Sequence, residues 1–197
     1  MAAVNRLLWI AVPLALVAIV RPWTIRPLDT AKPAVFDAST FASTAWPTLV
    51  REATHTATDV ATTAASGSSL GKARFVKGVG TVAGIDRQSR VGVVRVQLAN
   101  AGPVVAIQLG PVIRGTALRD ASSFIRFSDF MNQFEYAGAA NALNDYVLRT
   151  VIAPLPIDTL QGRTISFVGA VGKSPNREDG TIEIVPVQLG ISGGGSN

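Results

Sequence analysis

The chain has 197 residues, 48% of them hydrophobic, and a mean hydropathy of +0.33, apolar for a soluble protein but too polar for one that crosses a membrane many times. A net charge of +5 with only 16% charged residues is a mildly basic balance, far from the dense basic face of a strong nucleic-acid binder. The lack of cysteine and the single histidine, His55, exclude disulfides, thiolate metal sites, a cysteine nucleophile and multi-histidine metal centres.

Leu7 to Val20, LLWIAVPLALVAIV, is an unbroken apolar run of 14 residues behind Arg6. It has the length of a signal-peptide core and reaches spanning length only with help from its flanks. Arg21-Pro22-Trp23 follows with no small-x-small cleavage pattern. An uncleaved anchor over residues 1–23 is therefore favoured over a cleaved signal peptide, and over a buried core helix. The chain is expected at the periplasmic face of a bacterial inner membrane. Pro22, Pro27 and Pro33 make the next stretch a semi-rigid spacer. Phe36 to Pro47 is Ser/Thr/Ala-rich with spaced aromatics. Leu49, Ala53, Ala57, Val60 and Ala64 recur at helical steps, so a helix is expected from Thr48 to Ala65. Residues 24–69 form a spacer and helix, ended by the linker Ser66 to Ser69.

From Gly71 the texture becomes β. A long first strand runs from Arg74 to Ile85, and its glycines, Gly78, Gly80 and Gly84, predict a bulge or bend. Val91–Leu98 and Val104–Leu109 are the second and third strands, with Ala106 and Gln108 on one face of the third and Val105, Ile107 and Leu109 on the other. After a polar connection a helix is expected from Ser128, as N-cap, to about Ile152 before Pro154 and Pro156. Asp145 and Arg149 are spaced for an i,i+4 pair on it. Thr164–Val171 and Thr181–Leu189 are two further strands around a hairpin-like connection from Lys173 to Gly180. Three strands, a helix and two strands is the order of a five-stranded oligonucleotide/oligosaccharide-binding (OB) barrel. The fold class expected is thus mainly β (α+β), an OB-like barrel over residues 70–190 with a helix between strands three and four. An α+β sandwich is the alternative, and residues 191–197 read as a disordered tail.

The densest polar chemistry lies between the third strand and the helix. Arg114 and Arg119 offer forked donors suited to carboxylate, phosphate or sugar hydroxyls, and Gly115 permits close backbone approach. Thr116, Asp120, Asn132, Gln133 and Tyr136 complete a candidate contact surface for a small polar ligand or a partner. The competing reading is that Arg119, Asp120 and Asn132 only tie the connection to the barrel. Gly67-Ser68-Ser69-Leu70-Gly71 spells G-x-S-x-G only within the linker, without the strand-to-helix turn that element needs, and Gly78-x-Gly80-x-x-x-Gly84 has the wrong spacing for a dinucleotide site. The expectation is a protein without catalytic residues, metal or cofactor. Nucleic acid is not an expected partner, since the strands carry little aromatic surface beyond Phe75 and Phe167.

In Gly110-Pro111-x-x-Arg114-Gly115-Thr116-x-x-Arg119-Asp120, followed by Phe127-x-x-Phe130-x-Asn132-Gln133 and an alanine-rich helix, the chain resembles a family of predicted bacterial periplasmic lipoproteins of unknown function. The resemblance extends from Phe36 to about Leu189. It implies an accessory role beside sugar transporters of the ATP-binding cassette type, and no established activity. Lacking cysteine, this sequence offers no thiol for lipid attachment, so anchoring falls to Leu7–Val20. Two functions follow: a membrane-tethered periplasmic binding or accessory module for sugar uptake, or a structural interaction protein with no small-molecule site.

Overall fold

Asp37 starts the first helix where the sequence pattern alone does not. In the computed structural model, which describes residues 36–65, 71–99, 102–173 and 181–192, α1 runs Ala38–Thr56. The Asp37 carboxylate accepts from the backbone N–H groups of Ser39 and Thr40 at 3.0 and 3.2 Å, and from their hydroxyls at 2.8 and 2.6 Å. These hydrogen bonds, with the Thr40 hydroxyl foremost, hold its carboxyl down at about 2. The helix expected at Thr48–Ala65 therefore begins ten residues earlier. It also ends earlier. Ala57 turns extended, Thr58–Asp59 forms a two-residue strand, β1, beside the first long strand, and winding resumes as α2, Val60–Ala65. The anchor run, the proline-rich spacer, the linker at 66–69, most of the Lys173–Gly180 connection and the tail beyond residue 192 lie outside the described residues.

The five expected strands form close to their expected limits: β2 Arg74–Asp86, β3 Val93–Leu98, β4 Val104–Gln108, β5 Thr164–Val171 and β6 Ile182–Ile191. β1 makes the sheet six-stranded, in the order β1-β2-β3-β4-β6-β5, with β2 also paired to β5. The long strand serves twice. Arg74–Thr81 runs antiparallel to β5, and Gly80–Asp86 antiparallel to β3. The β3–β4 and β5–β6 pairs are antiparallel, whereas β4 and β6 are parallel. The pairings of the five long strands thus return to their start.

Gly80 makes that double service possible. A Cβ there would stand 2.3 Å from the Gln97 carbonyl oxygen, so only glycine lets β2 pass β3 this closely. A register shift between Val82 and Gly84 supplies the expected bulge. Inside, Val76, Val82, Val94, Val96, Val105, Ile107, Ile184 and Phe167 form one core with Leu49 of α1. Val93 and Ala106 sit in a small second cluster with Val91 on the opposite face.

The second long helix, α4, spans Gln133–Val147 and continues as a π-helical turn, Leu148–Ile152. Its start differs from the expected Ser128. Phe127–Asp129 forms a separate 3-10 turn, closed by Arg126 N–H donating to Asp129 at 3.0 Å. Asn132 is the N-cap instead, its Oδ1 accepting from Phe134 and Glu135 N–H at 2.9 and 3.0 Å. The expected Asp145–Arg149 ion pair is not among the salt bridges of the described residues, and the Arg149 guanidinium lies 5.9 Å from the Tyr146 ring centre. Small residues line both α1 (Ala42, Ala45, Ala53) and α4 (Ala139, Ala140, Ala142), which pack together. Among the described residues no helix is long and apolar enough to cross a membrane.

Candidate functional site

Gln108 ends β4 as the one long polar side chain of an apolar strand, and it is 3% exposed. A buried amide must find partners, and it finds them in the next loop. Its Oε1 accepts from Arg114 N–H at 2.8 Å and its Nε2 donates to the Arg114 carbonyl at 3.2 Å. The loop is fixed elsewhere too. Gly110 N–H donates to the Val91 carbonyl at 2.7 Å, Val112 N–H to that of Arg90 at 3.1 Å, and Asn144 of α4 donates to the Gly115 carbonyl at 2.9 Å. The Gly110–Pro111 bond is cis. Gly115 has φ +90° and open space where a Cβ would stand, so its backbone conformation, rather than a close approach, calls for glycine there.

Beyond Gly115, Thr116 precedes the short helix α3, Ala117–Ala121, without a side-chain hydrogen bond to its first turn's backbone. Its hydroxyl donates to Asp120 Oδ2 at 2.7 Å. Arg119 donates through Nε and Nη2 to Asp120 Oδ1 at 2.9 and 2.7 Å, and through Nη1 to the Tyr136 carbonyl at 3.0 Å. Its guanidinium lies 3.7 Å from the centre of the Tyr136 ring. With side-chain exposures of 11% and 24% for Arg119 and Asp120, this is a brace between α3 and α4. A second tie joins α1 to the same connection, Glu52 accepting from Ser122 Oγ at 3.2 Å and Ser123 N–H at 2.8 Å.

The eight residues singled out in the sequence therefore divide. Arg119 and Tyr136 are spent on the brace, Asn132 on capping α4, and Gln133 is the exposed first residue of that helix. Arg114, Gly115, Thr116 and Asp120 do come together, lining a groove of about 260 Å³ with Lys173 and Glu183. Arg114 also borders a second groove of about 440 Å³ with Ser89, Arg90 and Val112. Lys173 and Glu183 come from the ends of β5 and β6, too far along the chain for any local motif to reveal. Gln108 had a signal, a lone amide in an apolar strand before Gly-Pro. Another groove, of about 550 Å³, contains none of the eight and lies between α2, β2 and β5, with Asp59 and Lys77 among apolar residues. Phe75 and Phe167 are both core residues. Among the described residues no cluster of three or more His, Cys, Asp or Glu side chains is arranged to hold a metal.

An aromatic cluster flanks the brace. Phe36, Phe41 and Phe130 meet pairwise at 5.5–5.7 Å between ring centres. Tyr136 joins them to Phe127, at 5.3 Å from Phe130 and 5.4 Å from Phe127. Its outer member Phe127 is 56% exposed, and the nearby Met131 and Phe134 are 72% and 79% exposed.

The architecture is that of a known fold. The chain is similar to a crystal structure of an OB-fold protein from Thermotoga maritima, with a TM-score of 0.59 and 19% identity over 80% of this chain and 99% of that one. An OBody bound to hen egg-white lysozyme is more distant, at TM-score 0.33 and 20% identity over 59% of this chain and 79% of that one. No curated protein matches the chain. The strand order and the parallel β4–β6 pair agree with the OB assignment. The conserved-domain model of a predicted periplasmic lipoprotein, DUF2291, matches residues 11–190, and the chain belongs to that family.

Proposed function

We propose that the protein is a membrane-tethered module on the periplasmic face of the inner membrane, where it binds a small polar ligand, without turnover, for a sugar uptake system of the ATP-binding cassette type. The observation that carries the ligand reading is the Arg114 groove. Gln108 fixes the Arg114 backbone from both sides while the side chain stays exposed, the arrangement of a positioned but available guanidinium. Arg114 and Lys173 suit the carboxylate or phosphate of a sugar acid or sugar phosphate, and Thr116, Asp120 and Glu183 suit its hydroxyls. At about 260 Å³ the groove is at the small end for ligand sites, which favours a single sugar ring. The tether is supported by the 14-residue apolar run, by the family's lipoprotein description and by the absence of a cysteine to carry lipid.

A second reading, an interaction protein with no small-molecule site, is favoured by the Arg119–Asp120–Tyr136 brace, because it turns much of the polar chemistry inward. A thermal-shift screen of residues 34–197 against sugars, sugar phosphates and sugar acids separates the two. A saturable rise in melting temperature, lost in Arg114→Ala, supports the ligand site. A flat response to the whole panel from a folded protein transfers the assignment to the interaction protein.

A further inference from the structure

Phe127, Met131 and Phe134 are large apolar side chains held out into water, and the backbone beneath them is not loose. Arg126 N–H is bound by Asp129, Met131 N–H by Glu135 Oε2 at 3.0 Å, and Phe134 N–H by the Asn132 cap. An exposed apolar patch on a pinned turn points to a surface that is covered in use. What covers it is indicated by the root of the tether. Phe36, the first described residue, packs on Phe130 at 5.5 Å, and its ring lies 3.7 Å from the position a Cβ would take on Gly138. Phe134 is one turn before Gly138 on the same side of α4. The chain therefore leads from beside this patch, next to Phe130 and Gly138, into the spacer and the apolar run Leu7–Val20. Residues 21–35 extended as polyproline II span at most about 45 Å, so the patch is confined near the bilayer at high effective concentration.

We propose that Phe127, Met131 and Phe134 dock the domain on the lipid surface of the membrane that holds its tether. The proposal rests on the tether reading above. Docking turns the patch towards lipid. It turns the far end of α4 away, and with it the β2–β3 turn, since Gly92 and Leu148 both lie against Gly110. The 15 residues of α4 put about 22 Å between the two ends. The groove at Arg114 follows Gly110 within a few residues, so a docked domain presents it to the periplasm rather than to lipid.

The full chain, reconstituted in vesicles of phosphatidylethanolamine and phosphatidylglycerol, tests this. With no native cysteine, an environment-sensitive thiol probe attaches only at Ser128→Cys in the patch or at Gln88→Cys in the β2–β3 turn, both exposed positions. Docked apolar side chains sit about 5–10 Å into the headgroup boundary, within reach of brominated acyl chains. The expected result is a blue-shifted emission, quenched by brominated lipid, at 128 and not at 88. Both effects are lost in Phe127→Ser/Met131→Ser/Phe134→Ser, while flotation with the vesicles persists. Phe134→Ser alone weakens both, and serves if the triple variant does not fold. A floating chain with an unshifted probe at 128 overturns the docking but leaves the tether standing. A blue shift without quenching overturns it in favour of a second copy or another protein on the patch. A chain that does not float overturns the tether reading itself, and the docking with it.

Discussion

Arg119→Ala is expected to destabilise the domain strongly even though the residue lies beside the proposed ligand groove. The change removes two hydrogen bonds to Asp120, one to the Tyr136 carbonyl and the stacking on the Tyr136 ring. Breaking a buried ion pair from one side costs about 3–5 kcal/mol. Asp120 is 24% exposed and keeps the Thr116 hydroxyl at 2.7 Å, so water and that donor reduce the loss. Stacking on the ring contributes about 1 kcal/mol, and the sum is about 3 kcal/mol. For a domain of this size each kcal/mol moves the melting temperature by about 2–4 °C, giving a fall of about 6–12 °C. Arg119→Lys keeps the charge but not the fork and should fall between. Thermal and urea unfolding of residues 34–197 measures both, with Arg114→Ala, an exposed position, expected within about 0.5 kcal/mol of the parent. If Arg119→Ala melts within about 1 °C of the parent, the brace does not carry load and the residue returns to the ligand-contact set.

Three other perturbations test the fold around it. Gly80→Ala drives a Cβ to 2.3 Å from the Gln97 carbonyl oxygen and should cost more than about 2 kcal/mol in urea unfolding, whereas Gly84→Ala meets nothing within 4 Å and should be near neutral. Gln108→Leu removes both bonds to the Arg114 backbone. It should cost about 1–3 kcal/mol and speed hydrogen exchange of the Arg114 amide, with unchanged exchange there refuting the clamp. The depressed carboxyl of Asp37, about 2 against 3.8 in the unfolded chain, gives stability that is present above 3.8 and lost as pH falls towards 2. Asp37→Ala should therefore melt below the parent near neutral pH, and the gap should close in acid.

The strands were readable because alternation and flanking turns reflect one buried face, a local consequence of a global arrangement. β5 is met residue for residue at Thr164–Val171, and β2 and β4 to within one residue of their expected ends. Helix starts were not readable from periodicity. Ala38 to Pro47 interleaves its alanines with serine, threonine and a proline, which are weak helix material, and α1 forms there because Asp37 caps it and α4 receives its small face. Ser128 and Asn132 are both good caps, and Asp129 settles the choice by closing its own short turn to Arg126. At the site, residue types suit ligand contact for both Arg114 and Arg119, and Arg119 alone of the two also enters the competing reading as a tie. Tertiary placement decides between the readings for Arg119, because the carbonyl and ring that it uses belong to Tyr136, on another helix.

β6 pairs with β4 on one side and β5 on the other, which bears on how the chain acquires its structure. Chains leave a ribosome or an export channel N-terminus first. β2, β3 and β4 can then pair as a meander long before their ring of strands has its last member. Until Ile182–Ile191 arrives, β4 offers an open edge of unpaired N–H and C=O groups, and so does β5. The ten-residue strand is thus the last of the ring to arrive, and its loss would leave the edges of β4 and β5 open together.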